Sequence, residues 1–245
     1  MAEIVKNEAL ILKKINFGNS SLIIHLYTKE HGKISAIIKG AKSPKSKLGS
    51  KVDILNHVEI VYYNKEEKEL QLITQVNLIE HFANLKSDLA KLKYAMSICE
   101  LILKLVLEKD KNEKLYRGVI RILNLINDEQ SDPILHFTQF LIFFIKEIGF
   151  ELNFNTCSNC GSKLLETEQN AFSYNDGIIC EKCNSEKIST YQFTKELFNL
   201  FVCLTSKSKS LSYKKKDLEN IIFILERYLI FHNSEFSGIK SLQIL

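Results

Sequence analysis

The stretch from Ser21 to Lys51 reads SLIIHLYTKEHGKISAIIKGAKSPKSKLGSK, and its alternating pattern decides the fold of the N-terminal third. Every second residue from 22 to 26, and again from 34 to 38, is apolar, which predicts two strands joined by a tight turn. A lysine-rich loop without an acid follows, and its lysines are Lys39, Lys42, Lys45, Lys47 and Lys51. A half-buried sheet beside such a loop suits a nucleic-acid phosphate backbone, and ordinary solvated surface is the alternative interpretation.

Five strands are predicted within the first 80 residues. They are expected at about 8–15, 21–28, 33–40, 57–64 and 70–79. Five short strands in this length suggest a small barrel, and the OB-fold is a common barrel of this size that binds single strands. Strand alternation directs Tyr27 and Tyr63 away from the barrel core, so both are predicted to stack on bases beside the lysine loop.

The hydrophobic period becomes helical after Leu85. Helices are predicted at about 87–108, 112–128, 133–148, 194–205 and 217–232. Asp132 and Pro133 form a start signal, and Gly149 is a stop signal. The chain is therefore expected to be an α+β protein, with an OB-fold DNA-binding domain at 1–80 and a helical domain at 81–245.

Four cysteines form the most specific motif in the chain. They are Cys157, Cys160, Cys180 and Cys183, in a CxxC–x19–CxxC arrangement. Two such pairs can close a tetrahedral shell of four thiolates, which predicts one structural Zn²⁺ in a module at about 155–187. The residues Asn175-Asp176-Gly177 lie between the pairs and predict a hairpin that returns the second pair to the first.

Composition places the protein in a reducing compartment and gives no sign of catalysis. Paired cysteines suit metal binding in the cytosol, no secretory signal opens the chain, and the apolar run at 140–145 is too short to span a bilayer. A cytoplasmic, nucleoid-associated protein without a membrane partner is expected. GxSxG and GxGxxG motifs are absent, and Lys42-Ser43 lacks the glycines of a Walker loop, so the chain is predicted not to be an enzyme.

Net charge is spread unevenly along the chain. Residues 1–80 contain 12 lysines and 9 acids, which places +3 of the total +4 in the first third. The chain has only three arginines, which are Arg117, Arg121 and Arg227. Lysine contacts phosphate as a point charge without bidentate geometry, so the composition favours binding to the backbone over recognition of bases.

These segments together resemble the bacterial RecO family of DNA repair proteins. The resemblance is carried by residues 21–49, by HVEIVYY at 57–63, by ELQLITQVNLIE at 69–80, by the cysteine quartet, and by the ending Gly238-Ile-Lys-Ser-Leu. It implies an OB domain, a helical domain and a zinc module. The loop from Lys39 to Lys45 matches the basic loop of the family, although lysine here replaces arginine at positions where stacking or bidentate contacts would need it.

The resemblance also implies a function and partners. The family consists of recombination mediators that bind single- and double-stranded DNA, anneal complementary strands, engage RecR and single-stranded-DNA-binding protein (SSB), and act indirectly on RecA. The chain is thus expected to anneal strands and to help exchange SSB for recombinase during DNA damage repair. Arg117 and Arg121 are four residues apart on a helix and are predicted to receive the acidic C-terminal tail of SSB.

Two alternatives stay open at this point. The first is a protein-interaction scaffold of a repair complex, in which the OB barrel docks a partner and contact with DNA is incidental. The salt dependence of single-strand binding distinguishes it from a DNA-annealing protein. The second is a zinc-ribbon nuclease, which the lack of clustered carboxylates near the cysteines disfavours.

Overall fold

A computed structural model describes most of the chain as two compact units. The described residues are 3–43, 46, 48–49, 51–65, 67–164, 169–185, 190–205 and 212–243, so the predicted DNA contacts Lys45 and Lys47 lie outside them. The first unit comprises residues 1–133 and 240–245, and the second comprises residues 134–239. The first unit therefore continues past residue 80, where the sequence suggested a domain boundary.

The first unit contains a closed five-stranded barrel. Its strands are β1 (Glu3–Phe17), β2 (Ser21–Thr28), β3 (Gly32–Ile38), β4 (His57–Asn64) and β5 (Leu70–Glu80). They follow the order β1-β2-β3-β5-β4, with β3 and β5 parallel and the other pairs antiparallel. The predicted OB-like sheet and α+β class are confirmed.

The alternating residues identified in the sequence form the core of the barrel. Leu22, Ile24 and Leu26 of β2 are buried together with the apolar residues of β3 and β4 that share their parity. The strand β1 begins five residues before the predicted position 8, because its first half pairs with β4 and its second half pairs with β2. This double pairing extends β1 beyond the segment in which its own sequence alternates.

Helices follow the barrel, and capping signals mark the ends of several of them. They are α1 (Ala83–Ser87), α2 (Leu89–Leu105), α3 (Glu113–Asn127), α4 (Pro133–Glu147), α5 (Glu181–Asn184), α6 (Lys195–Thr205) and α7 (Lys215–His232). The side chain of Asp88 caps α2, and that of Asn112 caps α3. Helix α4 starts at Pro133, and Gly149 ends it with a φ of 96° while Phe150 N–H bonds to Ile145 C=O.

The connection between α2 and α3 covers part of the outer barrel surface. Lys33 Nζ donates to Leu103 C=O at 2.9 Å and lies 3.4 Å from a Glu108 carboxylate oxygen. Gly32 has a φ of 61°, and a Cβ at this position would lie 2.1 Å from Asp110 C=O. Only glycine therefore allows the turn before β3 to approach this connection so closely.

Because this connection covers the outer face of β2, the prediction that Tyr27 stacks on bases is wrong. The side chain was expected to face solvent, but it is fully buried. Its hydroxyl donates to Asn112 C=O at 3.3 Å, and its ring centroid lies 5.9 Å from that of Tyr116 on α3. Strand alternation assigned the correct outer face to Tyr27, but a later segment of the chain covers that face here, so the ring is not available to a base.

The second unit combines helices with a small three-stranded sheet. Its strands β6 (Ala171–Ser173), β7 (Gly177–Ile179) and β8 (Thr190–Gln192) follow the order β7-β6-β8. Phe172 of β6 packs edge-on against Tyr228 of α7, with ring centroids 5.4 Å apart, and stacks near Phe201 of α6. Within the described residues, none of the helices is both long and apolar enough to cross a membrane.

Candidate nucleic-acid interface and metal centre

A groove on the outer surface of the barrel combines lysines with an aromatic ring. We call it the barrel groove, and define it by Ile37, Lys39, Tyr63, Lys65, Lys68 and Leu72. Register places Ile37 beside Leu72 and Leu72 beside Tyr63, so the apolar floor continues across β3, β5 and β4. The groove has a volume of about 420 Å³, and the charged side chains that line it among the described residues are all lysines.

The turn between β4 and β5 holds two of these lysines in place. Gln71 is buried, its Oε1 accepts from Lys65 N–H at 2.8 Å, and its Nε2 donates to the carbonyls of Lys65 and Lys68. The amide thus satisfies the backbone of the turn, while the side chains of both lysines stay exposed. A fixed backbone carrying exposed lysine side chains suits contact with phosphates.

The sequence analysis did not single out Lys65 and Lys68, which lie between the fourth and fifth predicted strands. The turn also contains Glu66, Glu67 and Glu69, so its net charge is −1 and does not indicate a cationic surface. Tyr63 is the residue from which they could have been predicted. It is an outward-facing aromatic residue two positions before Lys65, so the turn begins beside the predicted stacking surface. Tyr63 is 37% exposed, as a stacking residue requires.

The predicted lysine loop divides into parts with different environments. Lys39 and Lys42 are exposed, and Lys42 N–H donates to Ser20 C=O at 2.9 Å, which ties the loop to the β1–β2 turn. Lys51 is half-buried, and its Nζ donates to Val76 C=O at 3.0 Å. The structure therefore brings Lys39 together with Tyr63, whereas the ammonium group of Lys51 is occupied by a strand carbonyl.

The four predicted metal ligands lie together in the second unit. The sulfur atoms of Cys157, Cys160, Cys180 and Cys183 all lie within 4.8 Å of one another, and the Cys160 and Cys180 sulfurs are 3.8 Å apart. A tetrahedral zinc site with Zn–S bonds of about 2.3 Å needs sulfur separations of about 3.8 Å. The cluster therefore fits zinc binding.

Backbone hydrogen bonds shape both cysteine pairs. Cys157 N–H donates to Ser162 C=O at 2.8 Å, and Gly161 N–H donates to Cys157 C=O at 2.9 Å. Ser158 N–H donates to Ile178 C=O, which joins the first pair to the β6–β7 hairpin, and Gly177 supplies the positive φ in the turn of that hairpin. The predicted hairpin between the two CxxC pairs is confirmed.

The surroundings lower the pKa of two of the four thiols, whereas contacts with the neighbouring cysteines raise the pKa of Cys183 to about 12. Hydrogen bonds from Ser162 lower the pKa of the Cys160 thiol to about 6, and the backbone of Cys183 lowers the pKa of Cys180. Cys180 N–H also points at Cys157 Sγ over 3.4 Å. Thiolates are the form that binds a metal, and four of them leave no coordination position for a substrate.

A smaller groove contains the two arginines predicted to bind a partner. We call it the helix groove. It has a volume of about 260 Å³ and lies between α3 and the barrel, in the first unit. Arg117 is exposed and bonds to the Glu113 carboxylate at 2.6 Å, and Arg121 is exposed one turn later. Lys29, the ring of Tyr116 and the Glu8 carboxylate, which lies 3.6 Å from Lys29 Nζ, also line the groove, so it combines three cations and one acid with a partly apolar floor.

Comparisons with known proteins divide the chain between residues 82 and 86, at the end of the barrel, and not at residue 133. The family model described as recombination protein O, N terminal, matches residues 1–82, and the model described as recombination protein O, C terminal, matches residues 86–242. A "DNA repair protein RecO" from Chloroherpeton thalassium is 28% identical over 98% of this chain and 96% of its own length. Another from Clostridium perfringens is 31% identical over 75% of this chain and 73% of its own length. The two matches follow one another along nearly the whole chain, and the protein therefore belongs to the RecO family.

Proposed function

We propose that the protein is a non-enzymatic DNA-binding recombination mediator that anneals complementary single strands. Membership of the RecO family gives it a role in DNA repair and recombination. The single observation that carries the annealing proposal is the barrel groove, which Lys39, Lys65 and Lys68 line together with the exposed ring of Tyr63. Lysines along a groove attract phosphates, and an aromatic face stacks bases without regard to their identity.

Annealing by such a surface needs no fuel and no catalytic residue. The duplex is the stable product, and the principal obstacle is repulsion between two polyanions. Lysines that neutralise some of the phosphates reduce this repulsion. Because the contacts of the barrel groove are directed to the backbone and to the faces of the bases, the base-pairing edges stay free to find a complementary strand.

The test is an annealing assay with complementary labelled oligonucleotides, without nucleotide cofactors, on free strands and on strands coated with SSB. We expect faster annealing than without protein, and we expect Lys39→Gln/Lys65→Gln/Lys68→Gln to lose most of the acceleration. Normal acceleration by this variant would reject the barrel groove as the annealing surface. If wild-type protein binds strands with no salt dependence and gives no acceleration, the scaffold alternative is correct.

We further propose that the cysteine cluster holds one structural Zn²⁺. The mutual distances of the four sulfurs support this assignment. The metal would join the two CxxC pairs, and when bound it supplies folding free energy rather than reactivity. Metal analysis of the purified, reduced protein should find about one zinc per chain, and a value far below one would contradict the proposal.

We also propose repair partners, which are RecR, the C-terminal tail of SSB, and RecA indirectly. The helix groove supports the second of these, because cationic side chains beside the Tyr116 ring suit an acidic, apolar peptide. The double variant Arg117→Ala/Arg121→Ala should weaken binding of an SSB tail peptide, whereas Lys104→Ala/Lys114→Ala serves as a charge-matched control. Unchanged peptide affinity in the arginine variant would remove these two residues from the site.

A further inference from the structure

The outward face of α7 in the second unit carries an unusual set of side chains. Phe223 and Phe231 are 45% and 55% exposed, and Arg227 lies midway between them and is also exposed. A single exposed apolar residue is ordinary on a protein surface. These three, however, are spaced four residues apart, so they form one line along the helix with steps of about 6 Å.

Two of the three side chains already contact each other. The guanidinium carbon of Arg227 lies 5.3 Å from the centroid of the Phe223 ring, in a cation–π contact. Such a contact leaves the ring and the planar guanidinium available to a further flat group. Steps of about 6 Å also suit successive bases of an extended single strand, each of which has a face that can stack.

Charge along the helix favours a polyanion as the occupant. The first turn adds Lys214, Lys215 and Lys216 to Arg227, and all four cations are exposed. Of the three acids in the same segment, Asp217 accepts the N–H of Lys214, and Glu226 accepts the N–H of Ile239. Both of these carboxylates are half-buried, whereas the third acid, Glu219, is exposed and lies 3.9 Å from Lys215 Nζ, so exposed cations outnumber exposed acids by four to one in this segment.

We propose that this face is a second binding surface for single-stranded nucleic acid on the same chain. We call it the α7 stripe, and define it by Phe223, Arg227, Phe231 and the lysines at 214–216. Bases would stack on the two phenylalanines and the guanidinium, and phosphates would contact the lysines. The proposal deepens the annealing function and rests on it, because a chain with two separate surfaces holds two strands.

The absence of tryptophan from the chain gives a direct test. Phe231→Trp places a unique fluorophore in the α7 stripe, Tyr63→Trp places one in the barrel groove, and Leu125→Trp on exposed α3 is the control. We expect a short oligothymidine to quench the first two reporters and to leave the third unchanged. The reporter at position 231 should still be quenched when Lys39, Lys65 and Lys68 are all changed to Gln.

The outcomes separate this proposal from the proposed function. Quenching at position 63 without quenching at position 231 would overturn the α7 stripe and leave the barrel groove intact. No quenching at either position would overturn both. If sedimentation shows that wild-type protein self-associates and that Phe223→Ser/Phe231→Ser abolishes this with no change in DNA binding, the face joins copies of the chain and the proposal is wrong.

A binding measurement gives a second, independent test. In the background with Lys39, Lys65 and Lys68 changed to Gln, Phe223→Ser/Phe231→Ser should weaken oligothymidine binding about tenfold, because each stacked base contributes substantially. Leu107→Ser/Leu125→Ser removes two exposed apolar side chains elsewhere and should leave affinity unchanged. Equal affinities for the two double variants would contradict the proposal.

Discussion

The barrel and the cysteine module of this chain hold their folds by different means. Among the described residues the barrel buries a cluster of 15, mostly apolar, and the part of its outer surface that forms the barrel groove remains exposed. The module has three strands of three residues each, a size at which burial alone rarely maintains a fold. Its four clustered cysteines could hold a metal that would stabilise this small segment. If the proposed functions are correct, the barrel binds DNA and the metal has a purely structural role.

The largest expected effect is that of Cys157→Ser, which removes one of the thiolates. Metal binding at such sites contributes about 10 kcal/mol or more in model peptides, so we expect zinc loss and fast hydrogen exchange at 155–164 and 169–185. Exchange in the barrel should not change. Cys203→Ser is the control, since this thiol lies outside the cluster. Full zinc content, or slow exchange in the module without metal, would remove the difference between the two regions.

The next effect concerns the barrel, where a glycine rather than a metal allows close packing. Gly18 and Gly32 both have a positive φ, but only Gly32 has a backbone atom within 4 Å of a Cβ position. Alanine at position 18 should cost about 1 kcal/mol of unfolding free energy, from backbone strain alone. Alanine at position 32 should cost about 3 kcal/mol, since the α2–α3 connection must move.

Urea unfolding of the two variants measures this difference directly. Equal midpoints for Gly18→Ala and Gly32→Ala would mean that the connection over the barrel is loose. The explanation given for the burial of Tyr27 would then also fail, because the same connection covers that ring.

A smaller effect is expected at the stacking residue of the barrel groove. Tyr63→Ala should weaken single-strand binding by about 1–3 kcal/mol, and Tyr63→Phe should retain most of the affinity, because stacking needs the ring and not the hydroxyl. Leu89→Ala, which truncates another exposed apolar side chain, is the control. If alanine and phenylalanine at position 63 bind oligonucleotide equally well, the ring makes no contact with bases.

The smallest effect is the acid sensitivity of the first unit. Burial lowers the pKa of His57 from 6.5, and its Nε2 lies 3.0 Å from the Tyr116 hydroxyl. The unfolded chain thus binds more protons than the folded chain below about pH 6.5, so stability falls as the pH decreases through that value. In the variant His57→Gln, the urea unfolding midpoint should depend less on pH between about pH 5.5 and 7.5. Burial also lowers the pKa of His25, which should leave a residual slope. An identical pH profile in the variant would show that His57 does not contribute.

Local patterns in the sequence were sufficient for much of the fold. Strand alternation located β2 to β5 within two residues, and Asp132-Pro133 and Gly149 correctly bounded α4. The cysteine spacing identified the cluster, because ligand geometry is encoded by short separations within the chain. These features share one property, which is that residues close in sequence determine them.

The remainder depends on contacts between distant segments. Tyr27 is buried by residues near 112, and no pattern around β2 indicates this. Lys65 and Lys68 join Lys39 only because β3 and β5 pair in parallel, a register that the sequence does not express locally. The side-chain amide of Gln71 forms hydrogen bonds with the backbone of Lys65 and Lys68, which fixes the turn. The position of Gln71 three residues after Lys68 does not indicate this role.

The measurement that tests the account most directly is the salt dependence of single-strand binding by Lys39→Gln/Lys65→Gln/Lys68→Gln. The control variant is Lys104→Gln/Lys114→Gln/Lys195→Gln, which loses the same charge from other surfaces. With about 0.7 units of log–log slope for each phosphate contact, the barrel groove variant should lose about 2 units, and the control should lose almost none. Equal slopes for wild type and the groove variant, with both proteins folded and loaded with zinc, would show that the barrel groove is not where this protein holds DNA.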